Sequence, residues 1–161
     1  MQLVRTYHDV SVFSLLLRNR RDDAKRLLEQ GTRGVLKVKE YLEGLGHKVY
    51  VDPAAEMSEI FLNPRDKPRN RYDIIDLTTG EVIDVKTTSN TDTFWINEEH
   101  LGPAAERGWI FYIILGDGEM RKIAAQFLVD KMSSAKDEKR YFKYGSEQGF
   151  VFPRDVAEAV G

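Results

Sequence analysis

Asp73, Asp84 and Lys86 are the residues of this chain whose types and spacing best suit chemistry. Asp84 and Lys86 fall in Val-Ile-Asp-Val-Lys, a run whose β-branched residues favour a strand. Strand side chains alternate, so Asp84 and Lys86 share one face while Ile83 and Val85 take the other. Asp73 belongs to the preceding run, Tyr-Asp-Ile-Ile-Asp, and the Thr-Thr-Gly between the runs marks a hairpin turn. With Thr79 and Gly80 as a two-residue turn, Thr78 pairs with Glu81, Ile75 with Asp84 and Asp73 with Lys86. The two aspartates then become diagonal neighbours about 7–8 Å apart at the backbone, close enough to hold one metal ion. A slip of one residue would turn Asp73 to the far face.

Two carboxylates are hard oxygen ligands that suit Mg²⁺, an ion that keeps several waters and is usually held by one or two acids plus a substrate phosphate. A lysine beside them would counter charge developing on the phosphate or orient an attacking water. The apolar residues around these acids read as central strands, where charges are costly unless paired or bound to metal. The plainer alternative is a solvent-facing edge, with Asp84 and Lys86 as a surface ion pair contributing ~0–1 kcal/mol.

Several elements must position these residues. Val35, Val38, Leu42 and Leu45 recur at helical spacing, so 32–45 reads as a helix with one core face, ended by Gly46. A strand follows at 47–52, the hairpin strands at 71–77 and 81–88, a helix at 97–107 and an apolar strand at 109–115. Asn97 is a good cap for the helix at 97–107, with Glu98 and Glu99 in its first turn. His100 and Glu99 are expected at the surface, and Phe94 and Trp95 in the core. Trp109 to Leu115 is too continuously apolar for an edge strand. Met120 to Val129 returns as a strand, or a strand and helix, and the charged stretch 131–140 reads as a loop or exposed helix. Tyr141, Phe142, Tyr144, Phe150 and Phe152 around Gly145 and Gly149 suggest a terminal hairpin, and 155–160 a short helix.

An Asp, a hairpin and then Asp-Val-Lys on the next strand resembles the PD-(D/E)XK nuclease superfamily, which includes Holliday-junction resolvases and Mrr-type restriction enzymes. The resemblance extends to the order of elements (helix, three strands, helix, strand) and covers about 32–116. It implies an α/β restriction-endonuclease-like fold with a central mixed sheet flanked by helices. It further implies Asp73 and Asp84 as metal ligands, the Val85 carbonyl completing the shell, and Lys86 as the catalytic lysine. Mg²⁺ would be the cofactor, with Mn²⁺ able to substitute. Two departures stand out. Tyr72 occupies the place of the family's proline, and the first helix lacks the early Glu that often adds a metal ligand. Glu40, later in that helix, is the nearest substitute.

The 161 residues suit one domain: a helical extension over 1–31, the core over 32–116 and an elaboration over 117–161. The extension, helical over 9–30, would pack on the core or mediate a homodimer. No cysteine is present, which excludes disulfides, thiol catalysis and cysteine zinc sites, and allows a reducing, cytoplasmic setting. No apolar run is long enough to span a bilayer, so no membrane role is expected. His8, His47 and His100 lack metal-ligand spacing, and no P-loop or Gly-x-Ser-x-Gly turn is present. The net charge of −2 offers no general attraction to nucleic acid. Arg65, Lys67, Arg69 and Arg71, however, gather just before Asp73, where they would contact phosphates. The long stretch 53–70 around them also carries Glu56 and Glu59, expected to be exposed.

The expected function is therefore metal-dependent hydrolysis of phosphodiester bonds in DNA, with RNA left open as a substrate. The alternative is a nuclease-fold module that binds nucleic acid without cutting it, in a larger DNA-processing assembly. A weaker third reading is an interaction protein whose acidic hairpin is a solvated edge.

Overall fold

Helical spacing of apolar side chains builds helix α1 over residues 30–44 of the computed structural model, which describes residues 30–56, 72–142 and 145–161. The expected helical extension before residue 30 lies outside the described residues. So do Glu59 and the basic residues Arg65, Lys67, Arg69 and Arg71. Helix α1 buries Val35, Val38 and Leu42. It stops where Gly46 takes a φ of 87°, and the His47 N–H then donates to the Leu42 carbonyl at 3.1 Å. Leu45 falls in that stop and is 55% exposed, contrary to the core position its spacing suggested.

Strand β1 (Val49–Val51) and the short helix α2 (Pro53–Glu56) precede the hairpin strands β2 (Ile74–Asp76) and β3 (Val82–Thr87). Then come β4 (Thr93–Asn97), α3 (Glu98–Glu106), β5 (Ile110–Ile114), β6 (Met120–Ala124) and α4 (Ala125–Asp130). The chain closes with β7 (Lys136–Phe142), β8 (Gly145–Pro153) and β9 (Glu158–Val160). One mixed sheet runs β1-β2-β3-β5-β6-β9, and a smaller one runs β4-β8-β7. Strands β3 and β5 pair in parallel, through a crossover that carries α3, while their neighbours run antiparallel. Strand β3 is thus internal, as its composition implied.

Each face of the large sheet has its own core. On one, Val35, Val38 and Leu42 of α1 pack on Ile74, Ile83, Tyr112 and Ile114. On the other, Leu101 and Ala104 of α3 join Phe111, Ile113, Leu128 and the small sheet's Phe94, Ile96 and Phe152. Removing a fully buried Leu such as Leu42 would cost about 2–5 kcal/mol. No helix among the described residues is long and apolar enough to cross a membrane.

Two expectations beyond residue 116 need correction, as does the one for Trp95. The charged stretch 131–140 forms a 3₁₀ turn (Met132–Ser134) and then strand β7, because the backbone of β8 supplies a pairing partner that local composition does not reveal. The terminal hairpin consequently begins at Lys136. Residues 155–160 form a 3₁₀ turn and β9, which pairs with the free edge of β6. Trp95, expected in the core, is instead half-buried and lies across Gly149, where an added Cβ would stand 2.2 Å from its ring. Its Nε1–H donates to the Glu138 carbonyl at 3.0 Å, and the Arg140 guanidinium sits 4.5 Å above the ring.

Candidate active site

The hairpin is wider than a two-residue turn. Strands β2 and β3 pair Ile74 with Ile83 and Ile75 with Val82, so residues 77–80 form the loop. Asp76 sets this width. Its carboxylate accepts from the Thr78 and Thr79 N–H groups at 2.9 and 3.2 Å, and stands 2.7 Å from His47 Nδ1. Gly80, at φ 82°, donates its N–H to the Asp76 carbonyl at 2.7 Å. The expected pairing of Asp73 with Lys86 and of Ile75 with Asp84 is therefore displaced by two residues. Because that displacement is even, the face is preserved. Carried one step further, the observed register sets Asp73 directly opposite Asp84.

Asp73 is fixed by its backbone on both sides. Its N–H donates to the Ile83 carbonyl, and its own carbonyl accepts from the Asp52 N–H, both at 2.8 Å. Strand β2 does not reach Val85, and Asp73 Oδ2 accepts the Val85 N–H at 2.7 Å in its place. Tyr72, standing where the family pattern has proline, packs edge-on against Trp109 at 6.3 Å between ring centroids.

Asp84 is buried, and its neighbour across β5 is Phe111. Burial first, then the charge of Asp84 and a hydrogen bond shared with it, push the Asp73 carboxyl up to about 7. The Val85 N–H and the Lys86 charge pull the other way without offsetting this. Lys86 Nζ lies 3.4 Å from Asp84 Oδ1 and 2.8 Å from His100 Nδ1. With the ammonium donating, Nδ1 is the accepting nitrogen of His100.

His100 is the residue that sequence reasoning missed: expected at the surface, it is half-buried against Lys86. Its position follows from Asn97, the expected cap of α3. Asn97 Oδ1 accepts the Glu99 N–H at 2.7 Å, and Nδ2 donates to Glu147 Oε2 at 2.6 Å. The helix start is thus pinned to the small sheet, and its first turn holds His100 over β3. Its place three residues after a cap was a usable signal, but the crossover geometry was needed to read it.

Other expected site residues fall elsewhere. Glu40 is exposed on α1, which packs on the Ile83 side of the sheet, away from the Asp84 face. Glu99 is exposed at the start of α3. Val85 meets Asp73 through its N–H and turns its side chain toward α1. Among the described residues, no group of three or more acids, histidines or cysteines is placed to hold a metal ion. What converges is an acid pair with a lysine and a histidine alongside.

With this geometry in place, the chain can be set beside known proteins. Its structure is similar to Hjc, a Holliday junction resolvase from the archaeal hyperthermophile Archaeoglobus fulgidus, at a TM-score of 0.50 and 10% identity. That likeness covers 81% of this chain and 92% of the resolvase. A second likeness, to D212, a nuclease from a fusselovirus, has a TM-score of 0.46 at 14% identity over 84% of each chain. No family model matches the sequence, nor does any curated protein. The likeness to Hjc is one of fold, and that fold is the restriction-endonuclease-like one.

Proposed function

We propose that this protein is a metal-dependent nuclease that hydrolyses phosphodiester bonds in DNA. The observation that supports this reading best is the contact of the Asp73 carboxyl with that of Asp84 on the internal strand β3, with Lys86 3.4 Å from Asp84. Two facing carboxylates, one of them pushed up to about 7, form a site that a divalent cation would relieve. The oxygen donors suit Mg²⁺, and Mn²⁺ would substitute.

Asp73, Asp84 and the Val85 carbonyl would hold the ion, with waters and a phosphate oxygen in the remaining positions. When bound, the ion supplies Lewis acidity to the phosphate and to an attacking water. Lys86 places its ammonium beside the reacting phosphate, where it counters developing negative charge and orients the water. His100 accepts one N–H of that ammonium and so fixes the direction of the others. Arg65, Lys67, Arg69 and Arg71, which precede Asp73 in the chain, would contact backbone phosphates on either side of the cut. RNA is a second substrate class to test, and a homodimer would suit cuts in two strands. Glu40 has no part in this arrangement.

The decisive experiment incubates the protein with linear, nicked, single-stranded and branched DNA in Mg²⁺, Mn²⁺ or EDTA. The parent should cut only with metal, and Asp84→Asn should lose on the order of a thousandfold in rate while keeping its DNA affinity. Cleavage by Asp84→Asn at the parental rate sinks the proposal. The lack of a third acid at the pair among the described residues favours one other reading, a nuclease-fold module that binds nucleic acid without cutting. Binding without metal-dependent cleavage would establish it.

A further inference from the structure

A cleft of about 300 Å³ lies at the carboxyl ends of β3 and β5, on the α1 side of the sheet. Arg33 and Lys37 line one wall, and Thr87, Thr88 and Ser89 the other. Among the described residues that line it none is acidic, in a chain whose net charge is −2. Two cations and three hydroxyls around one hollow are the donors of an oxyanion site.

The cleft is held open by its own backbone. The Thr88 N–H donates to the Ile114 carbonyl at 3.0 Å, and the Gly116 N–H to the Asn90 carbonyl at 2.8 Å, so the loop after β3 is tied to the end of β5. A Cβ at Gly116 would stand 2.1 Å from the Ser89 carbonyl oxygen, and one at Gly34 2.4 Å from the Thr87 methyl. Only glycine permits these two close approaches. Thr88 Oγ1 accepts the Asn90 N–H at 3.1 Å, which leaves its hydroxyl proton for another acceptor. Lys37 Nζ donates to the Gly118 carbonyl at 2.5 Å, which holds the ammonium in place with further N–H groups to offer.

Lys86 and Thr87 are consecutive in β3 and point to opposite faces of the sheet. One strand end therefore carries the reactive group on one side and the oxyanion cleft on the other. We infer that this cleft is a second phosphate subsite, which takes a phosphate of the nucleic acid other than the one at the acid pair. The inference rests on the nuclease reading for the identity of its ligand. The phosphate would come either from within a passing strand or from a strand end, and the same chemistry serves both.

The test measures binding, separately from cleavage. Affinity for labelled DNA duplexes bearing a 5′-phosphate or a 5′-hydroxyl is titrated against salt in EDTA. The proteins compared are the parent, the Arg33→Ala/Lys37→Ala double variant and Ser89→Asp, an exposed position where folding should tolerate the change. The double variant should bind more weakly, with a log–log salt slope shallower by about 0.7–0.9, as for one lost phosphate contact. Ser89→Asp should lose tenfold or more in affinity. Losses confined to the 5′-phosphorylated duplex assign a terminal phosphate, and losses on both assign an internal one. Inorganic phosphate alone should shift the backbone amide resonances of Thr87 to Ser89 in the parent. Parental affinity and slope in both variants, at unchanged melting temperature, overturn the inference. Because no metal is present, failure of Asp73 and Asp84 to support cleavage would leave this result standing and would sink only the nuclease reading.

Discussion

Asp73 stands just before β2 and Asp76 at its end, and their surroundings differ in kind. Asp76 has no exposed surface because the turn itself seals it. Burial raises its carboxyl, but hydrogen bonds from His47 and from the Thr79 and Thr78 amides outweigh this and hold it below the usual carboxylate range. Among the described residues Asp73 has one amide donor, from Val85, and a second carboxylate, that of Asp84, beside it. There burial and like charge win, and the group rises to about 7. An acid surrounded by donors builds structure. An acid set against another acid is poised for a cation, and that contrast separates the architectural residue from the candidate ligand.

The sharpest way to break the contrast is by metal affinity. Asp73→Asn should weaken Mn²⁺ binding, read by calorimetric titration, by more than a hundredfold, whereas Asp76→Asn should stay within about twofold. Stability should respond in the opposite sense. Asp76→Ala strands the amides of Thr78 and Thr79 and the His47 ring, and should cost roughly 2–4 kcal/mol in urea unfolding. Asp73→Asn removes a repulsion and should leave the metal-free protein at least as stable at pH 8.

The pH profile sharpens the same comparison. The carboxyl of Asp73 sits higher in the folded protein than its ordinary value of 3.8, so its contribution is fully present below that value and lost as pH rises through about 7. The metal-free melting temperature should therefore fall between about pH 4 and 7, and Asp73→Asn should flatten that fall. Asp76 works in reverse: its contribution is present above its ordinary 3.8 and is lost as the solution is acidified through its lowered folded value. Asp76→Asn should remove that acid-side loss. The smallest effect expected is at His100. His100→Ala should lower kcat about tenfold with KM kept, and His100→Gln should recover part of it, because an acceptor for Lys86 returns.

Much of this was legible in the sequence because strand periodicity is strict. Alternation alone put Asp84 and Lys86 on one face, and apolar continuity made β5 internal. The turn was not legible, since Asp76 holds it with help from His47, far away in sequence. His100 was hidden for a related reason, as only the crossover after β3 brings α3 above Lys86. Strands β7 and β9 escaped because neither has an alternating apolar pattern, and each is stabilised by its pairing partner. Arg65, Lys67, Arg69 and Arg71 lie outside the described residues, so their role stays a sequence-based expectation.

Strand β7 ends the small sheet with Lys136, Asp137, Glu138, Lys139 and Arg140 in unbroken succession. An edge strand invites addition by a second chain. An antiparallel match of two copies centred on Glu138 would set Lys136 against Arg140 at both ends, Glu138 against its own counterpart, and Asp137 against Lys139 between them. An in-register parallel match would put every one of the five on a like charge. The parallel stacking is repulsive throughout, so the order of signs along β7 discourages in-register, fibril-like growth at this edge. An antiparallel match shifted by one residue would instead set Asp137 against Arg140 and Glu138 against Lys139, and so favour a two-chain pairing.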